Sequence, residues 1–518
     1  RMKEPAGLSR RGMLHGGMAL AGAAALTTPP ARAAGRQAQL AVAMPSNPET
    51  IDPHRLRALM TGSILACVVE SLVTRDDETM EIRPLLATAW RNIDELTWEF
   101  QLRKGVRFHN GEEFDAESVK FSIERTIDSP LSTNGKVVWP PSFGQKVEIV
   151  DPYTVRIVTK VPDPLVPNRL AAESMNMAPP KAMAAFKDKY VSNMLIGTGP
   201  YKFVEYVVGQ HVILEMNPDY WGEKPPTQRI VWNIVPDAAT RVAALQRGTA
   251  DVIVNLPIPS IAAVTADPNL RVYSAAGSVT SGLLMNTKDT AALKDVRVRQ
   301  ALNHAVDRVA LLKNLYKGLG RLCNGVVASK VEYAVDPGSY AYDPDKARKL
   351  LADAGFRDSL ELTLWQSSGR YELGVEAAQA ITAYFEDVGV HTNLQVLEWG
   401  EFNVRAANTQ FKDALFYGFV NVIWDPQYLL QRFLPTYPAF RYYLADAALA
   451  EKLKRYEGVF AKDERARLAA ECQQALHDQA PWVFLWELNE NFGLRKGVQG
   501  FRMRPDHLMR VQNAYVET

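Results

Sequence analysis

Between residues 375 and 397 the apolar periodicity of the chain changes, and that change constrains the fold more than any other feature. A helical stretch ends at Gly389, and "VHTNLQVLEW" then alternates through Val390, Thr392, Leu394 and Val396. Period two marks a strand with one covered face, so this segment reads as helix, turn, strand. The same punctuation recurs upstream. "YDPDKARKLLADAGF" has Asp343 to cap a helix, Pro344 at its first position and Gly355 to end it. "DVRVRQALNHAVDRVALLKNLYKG" carries Val298, Leu302, Ala305, Val309 and Leu312 at helical spacing, and predicts one helix between Asp295 and Gly318 with that stripe buried against a sheet. Such units build a mixed α/β fold. No internal repeat interrupts them.

The chain has 518 residues, enough for about three domains. Lys plus Arg number 59 against 58 Asp plus Glu, without a long basic block, which argues against a nucleic-acid partner. Residues 1–34 read as a twin-arginine signal peptide. Arg10 and Arg11 precede the apolar "MALAGAAAL", and Ala31 to Ala33 offer small residues for cleavage. No later stretch reaches the ~18 apolar residues of a membrane span. The mature chain is therefore expected outside the cytoplasm. Cys67, Cys323 and Cys472 lack metal-ligand spacing and read as buried; Cys472 shares a helical stripe with Leu468 and Leu476.

Catalytic signatures are absent from the sequence. The histidines are scattered without a His-Glu-x-x-His pair, and there is no Gly-x-Ser-x-Gly elbow or phosphate-cradling loop. "GTGPY" at 197–201 reads as a turn feeding the strand "YKFVEYVV". No catalytic residue, metal or cofactor is expected.

Six ordered motifs then form a pattern: "LTWEFQLRKGVRFHNGEEFDAESVKFSIER", "IGTGPYKF", "NPDYWG", "RVAALQRGTADVI", "MNTKDTAALKDVRVRQALNHAVDR" and "YDPDKARKLLADAGF". In order and spacing they resemble the peptide, opine and nickel family of ABC-importer substrate-binding proteins, over about Leu40 to Phe501. The resemblance implies a two-lobed α/β clamp of the periplasmic-binding-protein type with an additional domain. It implies a monomeric receptor that hands a peptide-like or opine-like solute to an inner-membrane permease. Lobe I would take 35–72, 196–284 and 490–518, the additional domain 73–195, and lobe III 285–489. The strands near "TSGLLMNT" and "WVFLWELNEN" would be the hinges. An exported hydrolase on a similar scaffold and a chaperone-like peptide holder are the alternatives. Much of the signature reads as scaffold: Gly105 and Gly111 turn around a short strand "VRFH", Asp115 caps the next helix, His109 is a turn or surface histidine, and Tyr220 and Trp221 pack in a turn.

Cleft residues carry over by position. Peptide-binding relatives place an ammonium-binding aspartate four residues before the proline of an Asp-Pro step; in "GFVNVIWDPQYLL" (418–430) that position is Val422, and no carboxylate lies between Asp413 and Asp425. The segment reads as an apolar wall of Phe419, Val422 and Trp424 with one orienting amide, Asn421; strand alternation would turn Phe419 and Trp424 to opposite faces. Arg57 and Leu59 follow "DPH" at a ligand-contacting position, and Arg57 suits a carboxylate. Trp399 and Arg405 match or lie near cleft positions. Asn255, Leu256, Ser281 and Trp486 fall on lobe-facing or crossover segments. These residues predict a solute with an anionic end and an apolar or uncharged body.

Overall fold

The structure is a computed structural model that describes residues 37–55, 59–128, 133–186, 195–437 and 439–517. The proposed signal peptide, and Arg57 with it, lie outside the described residues.

Two large sheets organise the chain. The first runs Leu270–Ala275, Glu490–Arg495, Val252–Ile253, Gln39–Met44, Arg229–Ile234, His211–Met216, Tyr201–Val207 across its width. Gln39–Met44 pairs in parallel with strands on both sides. It is buried from Leu40 onward, as the unbroken apolar run "LAVAM" requires of a strand covered on both faces. The second sheet runs Val390–Glu398, Leu360–Ser368, Ala414–Val420, Val279–Met285, Trp482–Phe484. Leu360–Ser368 is parallel to both of its neighbours. A smaller antiparallel sheet joins Ala87–Asp94, Thr97–Leu102, Thr154–Val158 and Lys146–Asp151. The helix Ala116–Asp128 covers it with Val119 and Ile123.

Local signals in the sequence set most element ends. The Asp343 side chain accepts from the Lys346 amide at 2.8 Å and opens the helix Pro344–Asp353. Gly355 and Gly389 adopt φ of +91° and +83°, conformations that only glycine enters without strain. Asp115 caps its helix through the Ser118 amide at 3.1 Å. Two expectations fail. The single helix between Asp295 and Gly318 is two, Val296–Ala305 and Arg308–Asn314. Val306 turns extended, and Asp307 caps the second helix through the Ala310 amide, a local bond that outcompetes the helical ladder. The break swings Val309 off the buried stripe, leaving it 62% exposed. The "VRFH" strand is only one bridge, Arg107 to Glu113, closed by turn glycines on both sides.

One apolar cluster connects Phe100, Phe114 and Trp139 of the small sheet's unit with Phe419, Trp424 and Trp482 beside the second sheet. A separate cluster with Phe385, Phe416 and Trp486 fills that sheet's other face.

Candidate functional site

In open α/β sheets, ligands bind beyond the carboxyl ends of parallel strands. Leu360–Ser368, Val390–Glu398 and Ala414–Val420 all end on one side of the second sheet. Gly369-Arg370-Tyr371, Trp399 and the loop 421–426 follow them directly. The parallel strands of the first sheet end at Met44, Ile234 and Ile253, so Asn255 lies at the corresponding edge there. Asn255 is exposed, with φ of +54°, and its carbonyl accepts from Arg241 at 3.3 Å. The edges meet where the Ile258 amide donates to Glu372 Oε1 at 2.6 Å. Burial pushes the Glu372 carboxyl above the usual range, and that amide pulls it back.

On the second sheet's side the crevice is aromatic. The Tyr371 hydroxyl accepts from the Gly418 amide at 2.9 Å, and its ring meets Phe416 and Trp399 edge-on at 5.0 and 6.1 Å. The exposed Arg370 guanidinium sits 5.3 Å from the Tyr371 centroid and 5.6 Å from that of Trp399. It forms no ion pair among the described residues. The acid whose charge it feels, Glu490, is engaged with His507. Gly418 leaves no space for a side chain: a Cβ there would meet Val279 Cγ1 at 2.7 Å, with Ser281 Oγ and the Tyr371 ring at 3.3 Å.

The wall 418–430 divides at Val420, where the strand ends. Alternation therefore stops before Trp424, which takes φ of +57° in the following loop. Phe419 and Trp424 are both buried in the same apolar cluster. Phe419 stacks on Trp482 at 5.5 Å. Asn421, fully buried, donates Nδ2 to the Asp425 carbonyl at 2.8 Å and closes the loop; its Oδ1 has no partner among the described residues. Asp425 accepts from Arg465 at 2.8 and 3.0 Å and from the Tyr456 hydroxyl at 2.9 Å. Val422 is half-buried at the loop's turn.

A family model described as bacterial extracellular solute-binding proteins, family 5 (middle), matches residues 81–440. Heme-binding protein A of Haemophilus influenzae is 31% identical over 447 residues, 80% of this chain and 81% of that one. The chain is a member of the family-5 bacterial extracellular solute-binding proteins. Glutathione-binding protein GsiB of Salmonella paratyphi A is 28% identical over 90% of this chain and 92% of its own. The periplasmic binding protein DppA from Helicobacter pylori, solved with the peptide STSA, superposes with a TM-score of 0.81 at 26% identity, covering 93% and 98% of the two chains. The two-lobed fold and the solute-receptor class follow from these likenesses. The family is one of binding proteins, not of enzymes.

In this family-5 protein the remaining sequence-predicted residues scatter. Leu256 is fully buried in an apolar cluster with Leu245, and its amide bonds to the Asn491 carbonyl at 2.8 Å. Trp486 is also fully buried, 4.9 Å from the Tyr316 ring. Both therefore offer no surface to a crevice. Ser281 is buried in its strand opposite Gly418. Arg405 pairs with Glu401 at 3.3 Å and lies over Phe411 and Trp365 at 4.9 and 5.1 Å. Leu59 begins the helix Leu59–Leu65. Arg370 and Tyr371 escaped the sequence reading; the signal available was "GRY" immediately after an apolar strand.

A polar cavity of 640 Å³ lies elsewhere, lined by Glu70, Glu173, Tyr220, Arg504 and Arg510. The Tyr220 hydroxyl, Trp221 Nε1 and Thr198 Oγ1 all donate to Glu70, so the "NPDYWG" turn holds a carboxyl as well as packing. Arg504 is bidentate to Asp506 at 2.7 and 2.8 Å, and Arg510 pairs with Asp77 at 3.0 Å. Burial, and then the Asp506 charge, push the Glu173 carboxyl up to about 8. His109 is neither free nor a ligand here: its Nε2 pairs with the Gly199 carbonyl at 2.9 Å and pins the "GTGPY" turn, and burial lowers its pKa to about 4. The three cysteines are buried, with thiols pushed to about 12 by burial. Among the described residues no His, Cys, Asp and Glu cluster could hold a metal, and no helix is long and apolar enough to cross a membrane.

Proposed function

We propose that this protein captures a solute with an anionic end and an apolar or uncharged body between the two strand-end edges, and passes it to an ABC-importer permease. The observation that carries the reading is Arg370, a guanidinium over two aromatic rings with no carboxylate of its own among the described residues. A cation held this way is free to pair with a ligand carboxylate, while Tyr371 and Trp399 supply flat apolar contact. Val422 reinforces it from the other end, because a buried ammonium beside valine would lose water without gaining a partner. Relatives are named for heme and glutathione, both of which carry carboxylates. An opine-like conjugate or an N-blocked peptide acid fits the same description.

In this reading the first sheet belongs to lobe I, the second to lobe III and the small antiparallel sheet to the additional domain, with the hinges in the strands near 280–287 and 482–491. Ser281, Trp399, Phe419, Asn421, Val422, Trp424 and Asn255 form or support the crevice, and the receptor acts as a monomer after twin-arginine export. Isothermal titration tests it. N-acylated dipeptide acids and opine conjugates should bind, and dipeptides with a free amino terminus should bind at least tenfold more weakly. Submicromolar binding of unmodified di- or tripeptides, undiminished by Arg370→Ala, would sink it.

A further inference from the structure

The loop that presents Arg370 is held from both sides of the crevice. Gly369 and Leu373, at φ of +78° and +51°, bracket Arg370, Tyr371 and Glu372. A leucine avoids that conformation and keeps it only where its surroundings impose it. From the second sheet, the Tyr371 hydroxyl accepts from the Gly418 amide at 2.9 Å, and the Tyr316 hydroxyl donates to the Leu373 carbonyl at 3.4 Å. From the first sheet's edge, the Ile258 amide donates to Glu372 Oε1 at 2.6 Å.

Ile258 follows the strand Val252–Ile253 of the first sheet, and Leu256 beside it packs in that sheet's apolar cluster with Leu245. The Ile258 side chain goes elsewhere. Only 8% exposed, it sits with Leu283, Phe416 and Trp486 in the cluster of the second sheet. Ile261 touches both clusters. The segment 256–261 therefore spans the crevice edge, anchored in one core and inserted into the other. Opening the crevice would bare Ile258, at a cost that grows with the apolar area exposed. Glu372 is exposed, so on opening it would exchange the amide for water. Such a contact breaks and re-forms without stranding a buried charge, unlike the Asp425–Arg465 pair.

We propose that Glu372 is a positioning residue for solute capture: its bond to the Ile258 amide latches the two lobes together and holds the strained loop that carries Arg370 in place. The proposal rests on the crevice being the solute site, and hydrogen exchange on the solute-free protein tests the latch separately from the solute. Glu372→Ala should speed exchange about tenfold in segments 256–262 and 366–374, the scale of one lost hydrogen bond, and leave the strand Gln39–Met44 unchanged. Glu372→Gln keeps an acceptor oxygen and should exchange like the parent. In titration calorimetry an N-acylated dipeptide acid should bind Glu372→Ala about tenfold more weakly and Glu372→Gln nearly as the parent. Unchanged exchange in either segment of Glu372→Ala would overturn the proposal. So would a Glu372→Gln variant that exchanges as fast as Glu372→Ala, because the acceptor oxygen would then not be what matters. Faster exchange in both segments, with no acid binding the unmodified protein, would strike the solute reading and support the latch.

Discussion

The polar cavity and the aromatic wall both contain arginines removed from water, and they handle them differently. Around the cavity, Arg504 and Arg510 each meet a carboxylate, and the Glu70 carboxyl is held by three donors. At the wall, Arg465 is paired with Asp425, whereas the buried Arg432 and the exposed Arg370 lie against aromatic rings and form no ion pair among the described residues. Charges whose partners lie in the same chain hold loops and sheets in register. An exposed charge without such a partner, as Arg370 is, is available to something that arrives from outside, and that separates scaffold from binding surface.

The largest effect should come from breaking a complete pair. Arg465 and Asp425 side chains are 4% and 1% exposed, so Asp425→Ala strands a buried cation and should cost about 3–5 kcal/mol in urea unfolding. Replacing both, as Asp425→Leu with Arg465→Met, should recover most of that loss. A cost below about 1 kcal/mol for the single change would erase the distinction between paired and unpaired arginines. Arg370→Ala should leave stability within about 0.5 kcal/mol of the parent yet weaken an anionic solute by about 1.5–3 kcal/mol in titration calorimetry. Equal losses in stability and affinity would make Arg370 another scaffold charge.

A further effect is a slope against pH. Glu173 has its carboxyl raised to about 8 in the fold from an ordinary 4.5, so between those values the folded state binds more protons than the unfolded one. Its stabilising contribution is complete below the unfolded value and declines as pH rises through about 8. Glu173→Gln should therefore gain relative to the parent between pH 5 and pH 9, read as a converging or crossing pair of melting curves. His54 and His109, both lowered to about 4 by burial, act in the opposite sense, destabilising the fold as pH falls from 6.5 toward 4, and both proteins share that decline.

Local chemistry made part of this protein readable in advance. The Asp343 cap, the Gly355 and Gly389 ends, the Cys472 stripe and the edge strand Val390–Glu398 depend on residues within a few positions of one another, and short-range bonds and periodicity fix such features. Even there, Asp307 could be read as an ordinary helical residue until its side chain was seen bonding the Ala310 amide. The absence of a carboxylate between Asp413 and Asp425 was likewise visible, because it needs no coordinates. What only the tertiary structure decided is which side chains meet across long separations. Asn421 looked like an orienting amide and instead spends its N–H on the loop's own Asp425 carbonyl. Leu256 and Trp486 fall on segments that read as lobe-facing in sequence yet are fully buried, since which residues of a segment stay exposed depends on the elements packed around it. Arg370 and Arg432 resemble any other arginines in sequence; their meaning comes from the rings packed around them and the carboxylates that are not there, and both are properties of packing between strands and loops far apart in the chain.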